Sequence, residues 1–105
     1  MSQTVQALAN ILKLLADQTR LTILALLKEK EMCVCDIVDI LQTTQPNVSQ
    51  HLRKLKKEGL VIETRRSQFI YYAINTNDKP YLKGIIEELP SMKNELKRLN
   101  PDCCK

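Results

Sequence analysis

The chain has 105 residues, four cysteines, one histidine, two glycines, no tryptophan and a formal net charge of +4. That length bounds it to a single domain, 1–105, too small for a deep catalytic cleft plus a second module. No apolar run approaches the roughly 18–20 residues of a membrane span, and Met1-Ser2-Gln3-Thr4 lacks the basic start of a secretory leader. These features point to the cytoplasm, where cysteines act as ligands or redox groups before they form disulfides. No nucleophile–base pairing, glycine-rich phosphate loop or paired-carboxylate motif is present, so the protein is not expected to be an enzyme.

Few glycines and many Leu, Ile, Lys and Glu residues indicate a mostly helical chain. From Thr4 to Leu15, Val5, Leu8, Ile11, Leu12 and Leu15 recur at the spacing of one helical face. Asp17 is an N-cap for a second helix carrying Leu21, Ile23, Leu24, Leu26 and Leu27, apolar on more than one side and therefore central. The polar stretch Lys28 to Glu31 ends it. A short third helix is predicted from Cys35 to Leu41, and Thr43-Thr44-Gln45 makes a tight connection to a fourth. Pro46 suits the first turn of that helix, Val48, Leu52 and Leu55 form its buried row, and Gly59 is its stop.

The period then changes. Leu60 to Thr64 and Phe69 to Ile74 are β-branched and aromatic and flank Arg65-Arg66-Ser67-Gln68, which reads as a hairpin. Helical spacing returns over Lys79 to Leu99, with Pro90 expected to break or kink it. The expected organisation is a helix-turn-helix over about 35–58, a wing over about 60–74, a C-terminal helix over about 79–99 and a cysteine tail over 100–105. The fold class is mainly α with a β-hairpin, a winged helix-turn-helix.

Charge supports that reading. Between Gln45 and Gln68 lie Arg53, Lys54, Lys56, Lys57, Arg65 and Arg66 against only Glu58 and Glu63, so the whole excess charge falls in that stretch. A basic stripe of this kind is the footprint of a phosphate-binding surface. Gln45, Asn47, Ser49 and Gln50 have the lengths and donor types for base edges in a major groove. Arg53, Lys54 and Lys57 suit phosphates, and Arg65 and Arg66 reach the neighbouring backbone or minor groove from the wing. His51 sits one position from the apolar row and reads as a partly buried packing or hydrogen-bonding residue ahead of a metal ligand.

Leu15-Ala16-Asp17-Gln18-Thr19-Arg20-Leu21, Cys33-Val34-Cys35-Asp36 and Gln45-Pro46-Asn47-Val48-Ser49-Gln50-His51-Leu52 together resemble the ArsR/SmtB family of metal-sensing repressors, a likeness running from about Ala7 to Leu99. The resemblance implies a cytoplasmic homodimer, joined through its first and last helices and not attached to a membrane. Such a dimer represses a metal-resistance operon on double-stranded operator DNA and releases it when metal binds. It also implies that Cys33 and Cys35 bind arsenite or antimonite, so that As(III) or Sb(III) is the inducer and no organic cofactor is needed. A soft trivalent centre prefers thiolates, the family supplies three of them in a pyramid, and a helix N-terminus stabilises the thiolate form.

Two features depart from the arsenic pattern. The cysteine expected one turn after Cys35 is replaced by Val38. Either a two-thiolate site takes a solvent or small-molecule ligand, or Cys103 or Cys104 supplies the third sulfur, from the same subunit or its partner; the tail pair can also form a separate site. Residues i and i+2 also lie about 200° apart on an ideal helix. The sulfurs of Cys33 and Cys35 therefore meet only if the third helix begins irregularly or unwinds, and binding is expected to distort it. The last helix has no histidine, which argues against the family's zinc site. Alternatives are a cadmium, lead or bismuth sensor using the same cysteines, a thiol redox switch among the four cysteines, and a dimeric module that no longer binds DNA.

Overall fold

The computed structural model describes residues 4–77 and 79–97. Helix α1 (Val5–Leu15) starts where the Thr4 hydroxyl accepts from the Ala7 N–H at 2.9 Å. The apolar face expected for it divides in two. Ile11, Leu14 and Leu15 turn inward, whereas Val5, Leu8 and Leu12 remain 87%, 36% and 47% exposed. Helix α2 (Gln18–Glu29) is capped by Asp17, whose carboxylate accepts from the Arg20 N–H at 3.0 Å. Its residues Ile23 to Leu27 are all buried, so α2 has no solvent side over that turn and lies at the centre of the core.

Met32–Cys33 form a two-residue strand, β1, that leads directly into α3 (Val34–Leu41). A turn follows at Gln42, which takes the left-handed conformation at φ 54°. Glycine is the usual residue there; here the Gln42 side-chain amide donates to the Asp39 carbonyl at 2.7 Å. Helix α4 (Gln45–Lys57) is capped by the Thr44 hydroxyl and carries Pro46 in its first turn. It ends at Gly59, φ 78°. There the Leu60 N–H reaches back to the Leu55 carbonyl at 2.9 Å, closing the helix as its glycine predicts.

Strands β2 (Val61–Arg66) and β3 (Phe69–Ile74) form the hairpin, turning at Ser67 with φ 57°, a positive φ of the kind that primed hairpin turns require. Strand β1 adds to the far edge of β3, giving an antiparallel sheet in the order β1-β3-β2, with Met32 opposite Tyr72 and Cys33 opposite Tyr71. Strand β1 has no legible sequence signal, since two residues cannot show a period.

The helical segment expected over 79–99 breaks at Pro90, as its proline predicts. It divides into α5 (Pro80–Glu87) and α6 (Lys93–Lys97), and Leu99 and the tail 100–105 lie outside the described residues. Pro90 has no N–H to donate and disfavours helical backbone at Leu89. The groups freed at the break are satisfied by α2, where Lys28 donates to the Leu89 carbonyl at 2.9 Å and Glu29 accepts from the Met92 N–H at 3.1 Å. Leu82 and Ile86 of α5 are buried in this protomer's own core, so the last helices are only partly free to serve as an interface.

The architecture is a winged helix-turn-helix, mainly α with one small sheet. Val48, Leu52 and Leu55 are fully buried, and with them α4 is seated on the core. Replacing Leu52 by Ala removes a full side chain there and is expected to cost about 2–5 kcal/mol. Urea denaturation followed by circular dichroism checks this; a loss below about 1 kcal/mol would mean that α4 is not held by its apolar row.

Candidate nucleic-acid interface and thiolate site

At 100° per residue, Gln50, Arg53 and Lys57 lie opposite the buried row of α4, and all three are exposed. Gln45 and Lys54 are exposed on its flanks, while Asn47 and Ser49 are half-buried. The Asn47 amide donates to the Thr43 hydroxyl at 3.1 Å, so part of its hydrogen-bonding capacity is spent on the turn. Lys56 faces β2 and pairs with Glu63 at 2.5 Å, which raises the lysine pKa. It ties the wing to α4.

The two wing arginines differ. Arg65 and Arg66 are both exposed near the hairpin tip. Arg66, however, pairs in bidentate fashion with Glu31, at 2.5 and 2.9 Å, and its guanidinium lies 5.0 Å from the Tyr71 ring centre. It fastens the wing to the residue just before β1.

Cys33 and Cys35 come together without unwinding any helix. Cys33 is the N-cap of α3, with extended backbone at φ −85° and ψ 163°, and Cys35 lies in the first turn. The helical angle of about 200° therefore does not apply, because Cys33 is not yet on the helix. Their sulfurs are 2.8 Å apart, longer than the about 2.05 Å of a disulfide bond. Cys33 is buried and Cys35 half-buried, and with Asp36 they form a group whose ligand atoms lie within 4.8 Å of one another. A hollow of about 210 Å³ opens beside them, bordered by Gln45 of α4 and by Gln68 and Phe69 of the wing. Val38, at the expected third-ligand position, packs against the core, and Cys103 and Cys104 lie outside the described residues.

His51 is half-buried on the opposite flank of α4. Its Nδ1 accepts from Nε of Arg20 at 3.2 Å, and the Arg20 guanidinium also donates to the Leu14 carbonyl at 3.0 Å. Burial holds the His51 pKa below its usual value; Asp17 opposes that shift, while Arg20 and Lys54 add to it.

Residues 17–63 match the family described as "Bacterial regulatory protein, arsR family". Over 79 residues the chain is 37% identical to the arsenical resistance operon repressor of Escherichia coli, covering 74% of this chain and 68% of that protein. The chain belongs to the ArsR family. A cadmium resistance regulator CadC homolog of Staphylococcus aureus is 33% identical over 76% of this chain and 64% of its own length. Among solved structures, HlyU of Vibrio cholerae superposes with a TM-score of 0.72 at 30% identity, covering 83% of this chain and 91% of that one. Mb0332 of Mycobacterium bovis, described as the homodimeric winged helix-turn-helix DNA-binding domain of "a possible ArsR-family transcriptional regulator", gives 0.69 at 29% identity over 83% and 86%.

Arg20 and Asp36 stand in the family-like segments without a role legible from spacing, and Glu31 carries no signal beyond a polar helix end. Nothing in the spacing of Arg20 points to His51, 31 residues away. The His51 environment has a measurable consequence. The unfolded chain takes up a proton near 6.5, which the folded chain resists, so stability falls as pH drops through that range. Nuclear magnetic resonance of the single histidine should give a folded pKa below 6.5, and His51→Gln should flatten the stability profile between pH 7 and 5. A folded pKa above 6.5 would contradict the buried acceptor.

Proposed function

We propose that the protein is a homodimeric, cytoplasmic repressor that binds double-stranded operator DNA through α4 and the wing and releases it when a soft metal binds Cys33 and Cys35. It is not an enzyme. Arsenite or antimonite is the proposed inducer. The observation that carries this reading is the pair of sulfurs 2.8 Å apart at the start of α3, one of them on a strand of the wing sheet. Trivalent arsenic would supply a soft centre with high affinity for thiolates, and the N-terminus of α3 favours the thiolate form of its ligands.

The chain's own residues carry the response. Any ligand between the sulfurs must part them, and Cys33 cannot move alone because its backbone pairs with Tyr71 of β3. Gln45, the first residue of α4, and the wing border the same hollow. Displacement at the cysteines therefore bears on both elements that meet DNA, and α3 need not unwind. A coupling of about 1–3 kcal/mol would lower affinity about 5- to 150-fold. On the DNA side, Gln45, Asn47, Ser49 and Gln50 are assigned to bases, Asn47 with reduced capacity. Arg53, Lys54, Lys57 and Arg65 are assigned to phosphates, and Arg66 reaches DNA only by sharing or leaving Glu31. The exposed Val5, Leu8 and Leu12 of α1 form the proposed dimer face, in keeping with the homodimeric relative.

Asp36 favours a second reading. A carboxylate beside two thiolates adds negative charge that suits a divalent soft cation, such as cadmium or lead, more than neutral arsenite, and the CadC homolog is a relative. Cys103 or Cys104 is the proposed third thiolate for the trivalent ions.

The test uses a duplex enriched from a random-sequence pool by the protein itself, followed by fluorescence anisotropy under reducing conditions. Arsenite should release the duplex at least about 5-fold, and Cys33→Ser should abolish that response while leaving basal affinity in place. Release by cadmium alone selects the second reading; release by peroxide alone selects a redox switch. Changing Cys103 and Cys104 together to Ser should weaken arsenite affinity, and unchanged affinity removes the tail from the site.

Separate measurements address the DNA and dimer faces. Lys57→Ala should lower the salt slope of binding by about one unit, and a change of similar size from Lys56→Ala would contradict its assignment to Glu63. Leu12→Asp should shift the protein toward monomer in sedimentation; an unchanged dimer would move the interface away from α1.

A further inference from the structure

Arg20 joins three elements whose relation must stay fixed if two copies of α4 are to meet one duplex. Its guanidinium donates to the Leu14 carbonyl at the end of α1, its backbone N–H is held by Asp17 at the start of α2, and its Nε donates to Nδ1 of His51 on α4, at 3.0, 3.0 and 3.2 Å. The side chain is only 15% exposed. Arginine stays protonated in proteins, so it is always the donor, and the bond to His51 exists only while Nδ1 keeps its lone pair.

We propose that His51 is a positioning residue for DNA binding: as a neutral acceptor it holds α4 against the α1–α2 corner, and its protonation releases the recognition helix and weakens binding. This rests on the reading above that α4 meets DNA and α1 forms the dimer face. The interaction ties the reading helix to the dimerisation helix, so its loss changes the relation between the two half-sites rather than any base contact. Protonation replaces an N–H···N bond by two donors and two positive charges facing each other.

The surroundings do not rescue the charged form. Asp17 is the acid facing His51, and its carboxylate is engaged as the α2 cap and lies 3.8 Å from Arg20. Lys54 faces His51 from its own helix, and Lys13, Lys57 and Glu58 border a neighbouring hollow that Arg20 and Lys54 also line. Burial together with Arg20 and Lys54 outweighs Asp17, the strongest charge acting on the ring, which favours its protonated form.

A new positive charge on a DNA-binding helix should strengthen phosphate attraction; release of the helix should weaken binding. His51 is the single histidine, and histidine is the side chain whose ordinary pKa lies between 5 and 8.

The experiment compares the wild-type dimer with His51→Gln, whose amide oxygen can accept from Arg20 and does not titrate. The duplex is the one enriched by wild type at pH 7.5. Anisotropy at pH 7.5 and 5.5 should show wild-type affinity falling at least about 5-fold more than that of His51→Gln. In the free protein, the Arg20 Nε–H resonance should shift with the His51 midpoint, independently of DNA. Parallel pH profiles, tighter wild-type binding at pH 5.5, or an Arg20 resonance that ignores the titration would each overturn the proposal. If no duplex is enriched at any pH, the DNA-binding reading fails with it; an enriched duplex with parallel profiles sinks only the latch.

Discussion

Five consecutive buried residues of α2, Ile23 to Leu27, constrain everything around them. An amphipathic helix can be covered from one side, but this turn must be covered from all sides. The core that closes round it draws on Ile11, Leu14 and Leu15 of α1, Val48, Leu52 and Leu55 of α4, Val61 and Tyr72 of the wing and Leu82 and Ile86 of α5. Each buried side chain of this size contributes roughly 1.5–3 kcal/mol. The basic face of α4 is therefore presented outward because its apolar row has nowhere else to go.

The sheet adds a second constraint, which is directional. Strand β3 is shared, pairing with β2 to make the wing and with β1 to place Cys33 opposite Tyr71. Tyr71 in turn lies against Arg66, which pairs with Glu31 just before β1. The sulfur site and the wing are thus parts of one small sheet rather than neighbours across a gap. A change at Cys33 has a short path to the hairpin tip, through backbone pairing and a bidentate ion pair. That path makes the wing, as much as α3, the element on which a bound ligand would act.

Much of this was legible in the residues. The α2 apolar run, the Val48–Leu52–Leu55 row, Gly59 after α4 and the β-branched hairpin segments each carry a local period or a conformational demand, and each stands where its pattern puts it. The exception is that Arg65 and Arg66 extend β2 and leave only Ser67 and Gln68 for the expected four-residue turn. What was not legible depends on tertiary placement. The divided face of α1 follows from how α1 meets α2, not from its own spacing. Strand β1 is too short to show a period, yet it is what brings Cys33 beside Cys35, and the helical angle between i and i+2 does not govern a residue outside the helix. Arg66 looked like a free wing cation because its partner lies 35 positions earlier.

The two flanks of α4 now have different physical characters. On one side, Gln45 borders the hollow beside two sulfurs, the proposed thiolate site. On the other, His51 accepts from an arginine that also holds the end of α1, where a single proton decides whether the bond exists. Gln50 and Arg53 of the outward face line neither the hollow beside the sulfurs nor the one beside Arg20. In the proposed scheme DNA affinity is altered from either flank by changing how α4 is held; Gln45 and Lys54 belong both to the flanks and to the set assigned to the duplex, whereas Gln50 and Arg53 belong only to the latter. A helix seated on a core by three side chains and steadied at both flanks by polar contacts suits such control, because its seating is strong while its angle rests on few bonds.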